Sequence, residues 1–195
     1  MTDTRRPRDR SESSTLVLSA SAALALVILQ LLCIRISPWE LPVRIVVPMT
    51  IAAVPLALWP QRRFLGTWVL FVGVAANLAP VVANGGLMPI ERSTIESVLP
   101  LDRADRYALD AWIPGSKDVL VTEESGRLVA LGDSIAISAG SHGIVASPGD
   151  IVLFAGVLML AGEASVAWQR RSRRDASQEE EEQPEAARGG AITPR

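Results

Sequence analysis

The residues of this chain best suited to chemistry are a few acids and amides set in or beside apolar runs. Glu163 stands inside such a run, seven residues before Arg170. A carboxylate at membrane depth costs several kcal/mol unless it is paired, hydrated or protonated. It could serve a proton or cation relay, with Ser19 and Ser21 at similar depth, or it could snorkel or pair with an arginine near an interface. One acid is not a pathway, which favours the second role. Asp150 closes Ser147–Pro148–Gly149–Asp150. Ser147 fits a helix N-cap, Pro148 the first helical position, and Asp150 the third, where its carboxylate can bond back. The sharper alternative makes Asp150 one ligand of an external cation site with Asp133. Asn77 offers an amide for helix packing or for solute contact.

Catalytic groups are sparse. His142 is the only histidine and lies in the flexible-looking run Gly140–Ser141–His142–Gly143. A Ser–His–Asp triad would need it, yet no G-x-S-x-G elbow is present. The chain contains no H-E-x-x-H, CxxC, Walker A or dinucleotide fingerprint. Cys33 is the single cysteine, so it has no internal disulfide partner. The loop acids Asp102, Asp105 and Asp110 read as a solvated helix face. The residues therefore assign no catalytic, cofactor-binding or metal-ligating position, and no cofactor.

Position depends on the elements. Hydrophobic residues make up 49% of the 195 residues and come in blocks separated by charge. Four blocks are candidate spans: Thr15–Ile34, Leu41–Trp59, Phe64–Ala83 and Ile151–Gln169. As helices they would be roughly 27–30 Å long, close to the bilayer hydrocarbon thickness. The first has a basic prefix but a core too long for a signal peptide and no A-x-A site, so it is expected to remain as an anchor. A net charge of −2 argues against a nucleic-acid partner.

Arginines fix the expected orientation. Arg5, Arg6, Arg8 and Arg10, then Arg62 and Arg63, then Arg170, Arg171, Arg173 and Arg174 share one side of a four-span chain. The positive-inside rule makes that side cytoplasmic. The segment 84–150, with ten acids and five bases, then faces outward. Trp39, Trp59, Trp68 and Trp168 fall near span ends, as an aromatic belt requires. Residues 1–14 and 170–195 carry too little apolar surface to offset ordering and read as disordered cytoplasmic tails.

The outer loop has signals of its own. Ser93–Thr94–Ile95–Glu96 fits a capping box, with a helix starting near Thr94. Leu101, Ala104, Ala108, Leu109 and Trp112 would line one face of a second helix. Asp118–Thr122 and Arg127–Leu131 read as short strands around Glu124–Ser125–Gly126, and Gly132–Asp133 turns the chain into Ser134–Ile137.

Gly66, Gly73, Asn77, Pro80 and Asn84 form a single seam along the third span. Asn84–Gly85–Gly86 ends that helix, glycine supplying the left-handed conformation. Met88–Pro89 then launches the loop. The run ANGGLMPI resembles the N-G-G-x-M-P signature of a family of small bacterial integral membrane proteins defined as a domain of unknown function. LGDSIAI and SPGDIVLFAGVLML resemble its later Gly–Asp motifs. The resemblance spans about Phe64–Ala167 and implies a four- or five-span protein with an outer loop; it implies no activity. It singles out Asn84, Gly85, Gly86, Met88, Pro89, Gly132, Asp133, Gly149 and Asp150.

The expected fold is mainly α, a four-span transmembrane helical bundle with a small α+β extracytoplasmic cap over residues 84–150. Its partners are the lipid bilayer and either an envelope protein or further copies of itself. The expected role is a non-enzymatic structural or interaction component of the cell envelope. A small oligomeric transporter or channel subunit is the alternative, and a membrane enzyme with an external acidic metal site is the third reading.

Overall fold

Long apolar runs satisfy their own backbone groups most simply as helices, and this chain does so four times. The computed structural model describes residues 7–98, 106–122, 124–139 and 142–189. Helices α1 (Pro7–Ile36), α2 (Glu40–Leu58) and α3 (Leu65–Ala83) come first, with a 3-10 turn at Trp59–Gln61 between the last two. The cap follows: β1 (Met88–Glu91), α4 (Arg92–Val98), β2 (Asp118–Val121), a 3-10 turn at Val129–Leu131, β3 (Ile135–Ala139) and β4 (His142–Ala146). Helix α5 (Pro148–Gly189) closes the order. Four segments are long and apolar enough to cross a membrane: Ser14–Ile36, Glu40–Gln61, Leu65–Ala83 and Pro148–Arg170.

The helices stand as a row. α1 packs on α2, α2 on α3, and α3 on α5, the last contact being the most extensive. α1 and α5, at the two ends, share at most a marginal contact, so the bundle is open. Glycines explain the closeness of α3 to α5. A Cβ on Gly66 would lie 2.3 Å from the Leu160 nitrogen, and one on Gly73 would lie 2.8 Å from the Leu153 nitrogen. From the other side, a Cβ on Gly156 would lie 2.8 Å from the Leu70 nitrogen. Two backbones approach this closely only where side chains are missing. At the other end of the row, Thr50 of α2 donates its hydroxyl to Oε1 of Gln30 on α1, at 3.0 Å.

The cap sits on one end of α1–α3. Ile34, Val43, Val47 and Val81 from the helices join Leu87, Met88, Val119 and Val121 from the cap in one apolar core. Leu87 is fully buried there. A second core, Ile90, Ile95, Ile113 and Leu120, lies within the cap. β1 and β2 pair in parallel, Met88 opposite Asp118 and Glu91 opposite Val121. β3 and β4 form an antiparallel pair, Ile135 opposite Ala146 and Ala139 opposite His142.

Several local expectations need correction. Met88–Pro89 does not merely open the loop; it begins β1, and α4 starts at Arg92, two residues before Thr94. Of the second predicted helix, Leu101 and Ala104 lie outside the described residues, as do Asp102 and Asp105. The described part, Arg106–Trp112, is turn and bridge, with Asp110 left-handed at φ 57°. Its backbone bonds go to β2 instead: the Asp110 amide donates to the Leu120 carbonyl and Leu120 donates back to Ala111. That pairing occupies the edge which the predicted Arg127–Leu131 strand would need. Residues 127–131 form a turn, and the hairpin of the cap is built from β3 and β4. His142 opens β4, while Gly140 and Ser141 lie outside the described residues. In the described residues α1 begins at Pro7 and α5 runs to Gly189.

Candidate functional site

The residues singled out by motif converge where the cap meets the helices. α3 ends there in a Schellman arrangement: the Gly86 amide donates to the Val81 carbonyl at 2.8 Å and Gly85 donates to Val82 at 3.3 Å. Both glycines have positive φ, 68° and 96°. Gly86 backs onto α2, where its Cβ would lie 2.1 Å from the Arg44 carbonyl oxygen. That carbonyl has lost its usual helical donor, because the residue four positions on is Pro48. The Arg44 guanidinium completes the junction, donating to Glu40 at 2.6 Å and to the Gly85 carbonyl at 2.9 Å.

Asn84 fastens the cap by its backbone. Its Nδ2 donates to the carbonyls of Pro80 and Arg127, each at 2.7 Å, and its Oδ1 accepts from the Arg127 amide at 2.9 Å. One side chain thus pairs with both polar backbone groups of residue 127, as a strand neighbour would.

A second fastening joins α3 to the start of α5. Ser147 and Asp150 form the expected capping box: the Asp150 amide donates to Ser147 Oγ at 3.0 Å, and the Ser147 amide donates to Asp150 Oδ2 at 3.1 Å. Asn77 locks onto both, donating to Asp150 Oδ1 and accepting from Ser147 Oγ, each at 2.7 Å. A Cβ on Gly149 would lie 1.9 Å from Asn77 Oδ1, so the interlock also requires glycine at 149. Asn77 is therefore packing glue, and Asp150 a helix cap.

The third element is charged. Lys117, the only lysine of the chain, donates to Asp133 Oδ2 at 2.6 Å and to Asp118 at 3.3 Å. Asp133 is only 5% exposed, and its Oδ1 has no hydrogen-bond partner. Its amide donates to the Pro89 carbonyl at 3.0 Å, and a Cβ on Gly132 would lie 2.3 Å from that same oxygen. Burial pushes the Asp133 carboxyl up to about 7 against the pull of Lys117, with Asp118 and Asp150 adding to the rise. Lys117 is held above its usual range, the nearby carboxylates outweighing burial. Asp133 and Asp150 each hold a different partner within the chain. Among the described residues no group of three His, Cys, Asp or Glu is arranged to hold a metal.

Glu163 lies at the opposite end of the α3–α5 contact. Its Oε1 accepts from the Leu65 amide at 3.0 Å and its Oε2 from the Gly66 amide at 2.9 Å. The carboxylate is the N-terminal cap of α3, supplied from another helix. It satisfies two amides that a helix start leaves free and meets the positive end of the dipole. This capping contact is not among the roles expected from the sequence. Replacing Glu163 with Ala is expected to cost about 1–3 kcal/mol by leaving these donors unpaired. Glu163→Gln should cost less, since one oxygen still accepts. Thermal unfolding in detergent measures both, and an Ala variant as stable as the parent would contradict the capping role.

Sequence reasoning missed three participants. Lys117 had a signal, being the sole lysine and next to an acid. Arg44 gave none, as one arginine in a span-end region; it turns to the Gly85 carbonyl. The third is Gly156, which with Gly149 and Glu163 gives a spacing of sevens on one face of α5, legible as a seam matching that of α3.

Compared with known protein families, residues 12–161 match the model of a family of unknown function, DUF5317. The chain belongs to DUF5317. The match begins well before Phe64, so most of the first helix and all of the second lie within the DUF5317 region. It takes in all three fastenings at the cap and stops two residues short of Glu163. No curated protein and no solved structure matches the chain.

Proposed function

We propose that this DUF5317 chain is a non-enzymatic component of the cell envelope, a four-span membrane anchor that presents a rigid cap to a protein partner. The observation that carries this reading is the use made of the motif residues. Asn77, Asn84 and Asp150 direct both oxygens and amide hydrogens to other parts of the same chain. A substrate site needs convergent polar groups left free to bind; here these groups hold the cap on the helices. The arginine distribution supports placing both termini in the cytoplasm and residues 84–150 outside the plasma membrane.

The transporter alternative would set Asn77, Glu163 and the kinked prolines near a polar path. Asn77 and Glu163 sit at opposite ends of the α3–α5 contact, each bound to the neighbouring helix. The glycine seam between them is closed by backbone contact.

A photo-crosslinking residue at exposed cap positions Ser125 and Leu128, expressed in native membranes, tests the proposal. Discrete adducts with another envelope protein are expected. Recovery of the unlinked chain alone from both positions would overturn it.

A further inference from the structure

We infer that the outward face of the β3–β4 hairpin lies on the outer leaflet of the bilayer, inserting Ile137 and Ile144 among the lipid headgroups. The inference rests on the spanning assignment of α5.

An antiparallel pair with one face on a core normally turns polar residues to water on the other. This hairpin instead turns Ile135, Ile137 and Ile144 outward, with His142 at the far end of the same face by register. Its inner face carries Gly143 and Val145: a Cβ on Gly143 would lie 2.3 Å from the Val98 Cβ of α4, and Val145 packs on the core formed by Ile90 and Ile95. The register places Ile135 opposite Ala146 and Ile137 opposite Ile144 on the other face. Ile137 is 52% exposed and Ile144 63%. Two β-branched side chains paired across strands, with no protein over them, form an apolar surface that needs a cover.

Position identifies the cover. β4 ends at Ala146, one residue before Ser147 caps α5, whose span begins at Pro148. Ile144 is three residues from that cap, so at about 3.3 Å per residue it lies within about 10 Å of the hydrocarbon boundary. The headgroup zone on each side of the hydrocarbon is about 5–8 Å thick, so a hairpin that runs obliquely to the membrane normal keeps the paired isoleucines at its level. Ile151 and Phe154, in the first turns of α5, are exposed apolar side chains as well. A lipid surface meets both requirements, apolar contact and nearness to a span.

The test uses the full chain with Cys33 replaced by Ser, carrying a single bimane-labelled cysteine at Ile137 or, separately, at Ile144. The protein is reconstituted in phosphatidylcholine vesicles. A lipid carrying a nitroxide near its headgroup should remove most of the emission at both positions, and aqueous iodide should remove little. Strong quenching by iodide would show a face in water, and protection from both quenchers would show a face covered by protein, a second copy included. Either result overturns the inference. A third label at Val157, exposed on α5, separates the two claims: its failure to respond to lipid-borne quencher would strike the spanning assignment itself.

Discussion

Replacing Lys117 with Met is expected to destabilise the cap by about 3–5 kcal/mol at pH 8, because it leaves the Asp133 carboxylate buried without a counter-charge. Asp133 already has one oxygen with no partner, and Lys117 is what holds the other. The penalty should shrink at pH 5, where the variant can relieve it by taking up a proton. Adding Asp133→Asn to Lys117→Met should restore most of the loss, since the pair is costly only when half of it remains. Thermal unfolding in detergent at both pH values checks this. Equal loss in the single and double variants would contradict it.

The parent protein carries the same signature more weakly. The Asp133 carboxyl sits near pH 7, above its ordinary 3.8, so the folded cap holds its proton more tightly than the unfolded chain does. That stabilisation is complete below about pH 4 and is lost as pH rises through 7. Lys117, raised from 10.5, contributes below that value and does not change across this window. The cap should therefore melt at higher temperature at pH 5 than at pH 8 on account of this group, and Asp133→Asn should flatten the difference.

Gly86→Ala should be the more damaging of two neighbouring substitutions. Its φ of 96° is one that L-residues avoid, and the new Cβ would lie 2.1 Å from the Arg44 carbonyl oxygen, a backbone atom of α2. Strain of roughly 1–3 kcal/mol adds to overpacking of roughly 1–3 kcal/mol. Gly85→Ala meets only the end of the Arg44 side chain, at 2.7 Å, which can swing aside. Its cost should stay at about 1–2 kcal/mol, the left-handed term alone. Melting temperatures of the two variants give the ranking, and a Gly85 variant at least as unstable as the Gly86 variant would reverse the packing argument.

The helices were legible in the residues because each span is a long apolar run bounded by charge, and a lipid solvent leaves such a run few alternatives. The α3 seam and the Gly85–Gly86 stop were legible for local reasons, spacing and glycine. The cap was read less well. Arg127–Leu131 has strand-like composition, but the edge of β2 it would need is held by residues 110–113, whose pairing nothing local announces. β4 was hidden by Gly140–Ser141–His142–Gly143, a run that resembles a loop; Gly143 is required because Val98 of α4 packs on it. The cap that Glu163 forms on α3 was not read, since the amides it meets are 97 and 98 positions away. The seven-residue spacing of Gly149, Gly156 and Glu163 marks a face of α5, but it does not say which backbone groups of α3 that face meets.

Amide hydrogen exchange of the chain in lipid nanodiscs, compared with Asn84→Ala, probes most directly whether the motif side chains fasten the cap to the helices. Slow exchange is expected at Arg127, whose amide is held by Asn84, and at Asp133, held by Pro89. In the variant, protection at Arg127 should vanish while that within α3 remains. A parent in which Arg127 exchanges as fast as a free peptide, or a variant that leaves its protection intact, would contradict the account.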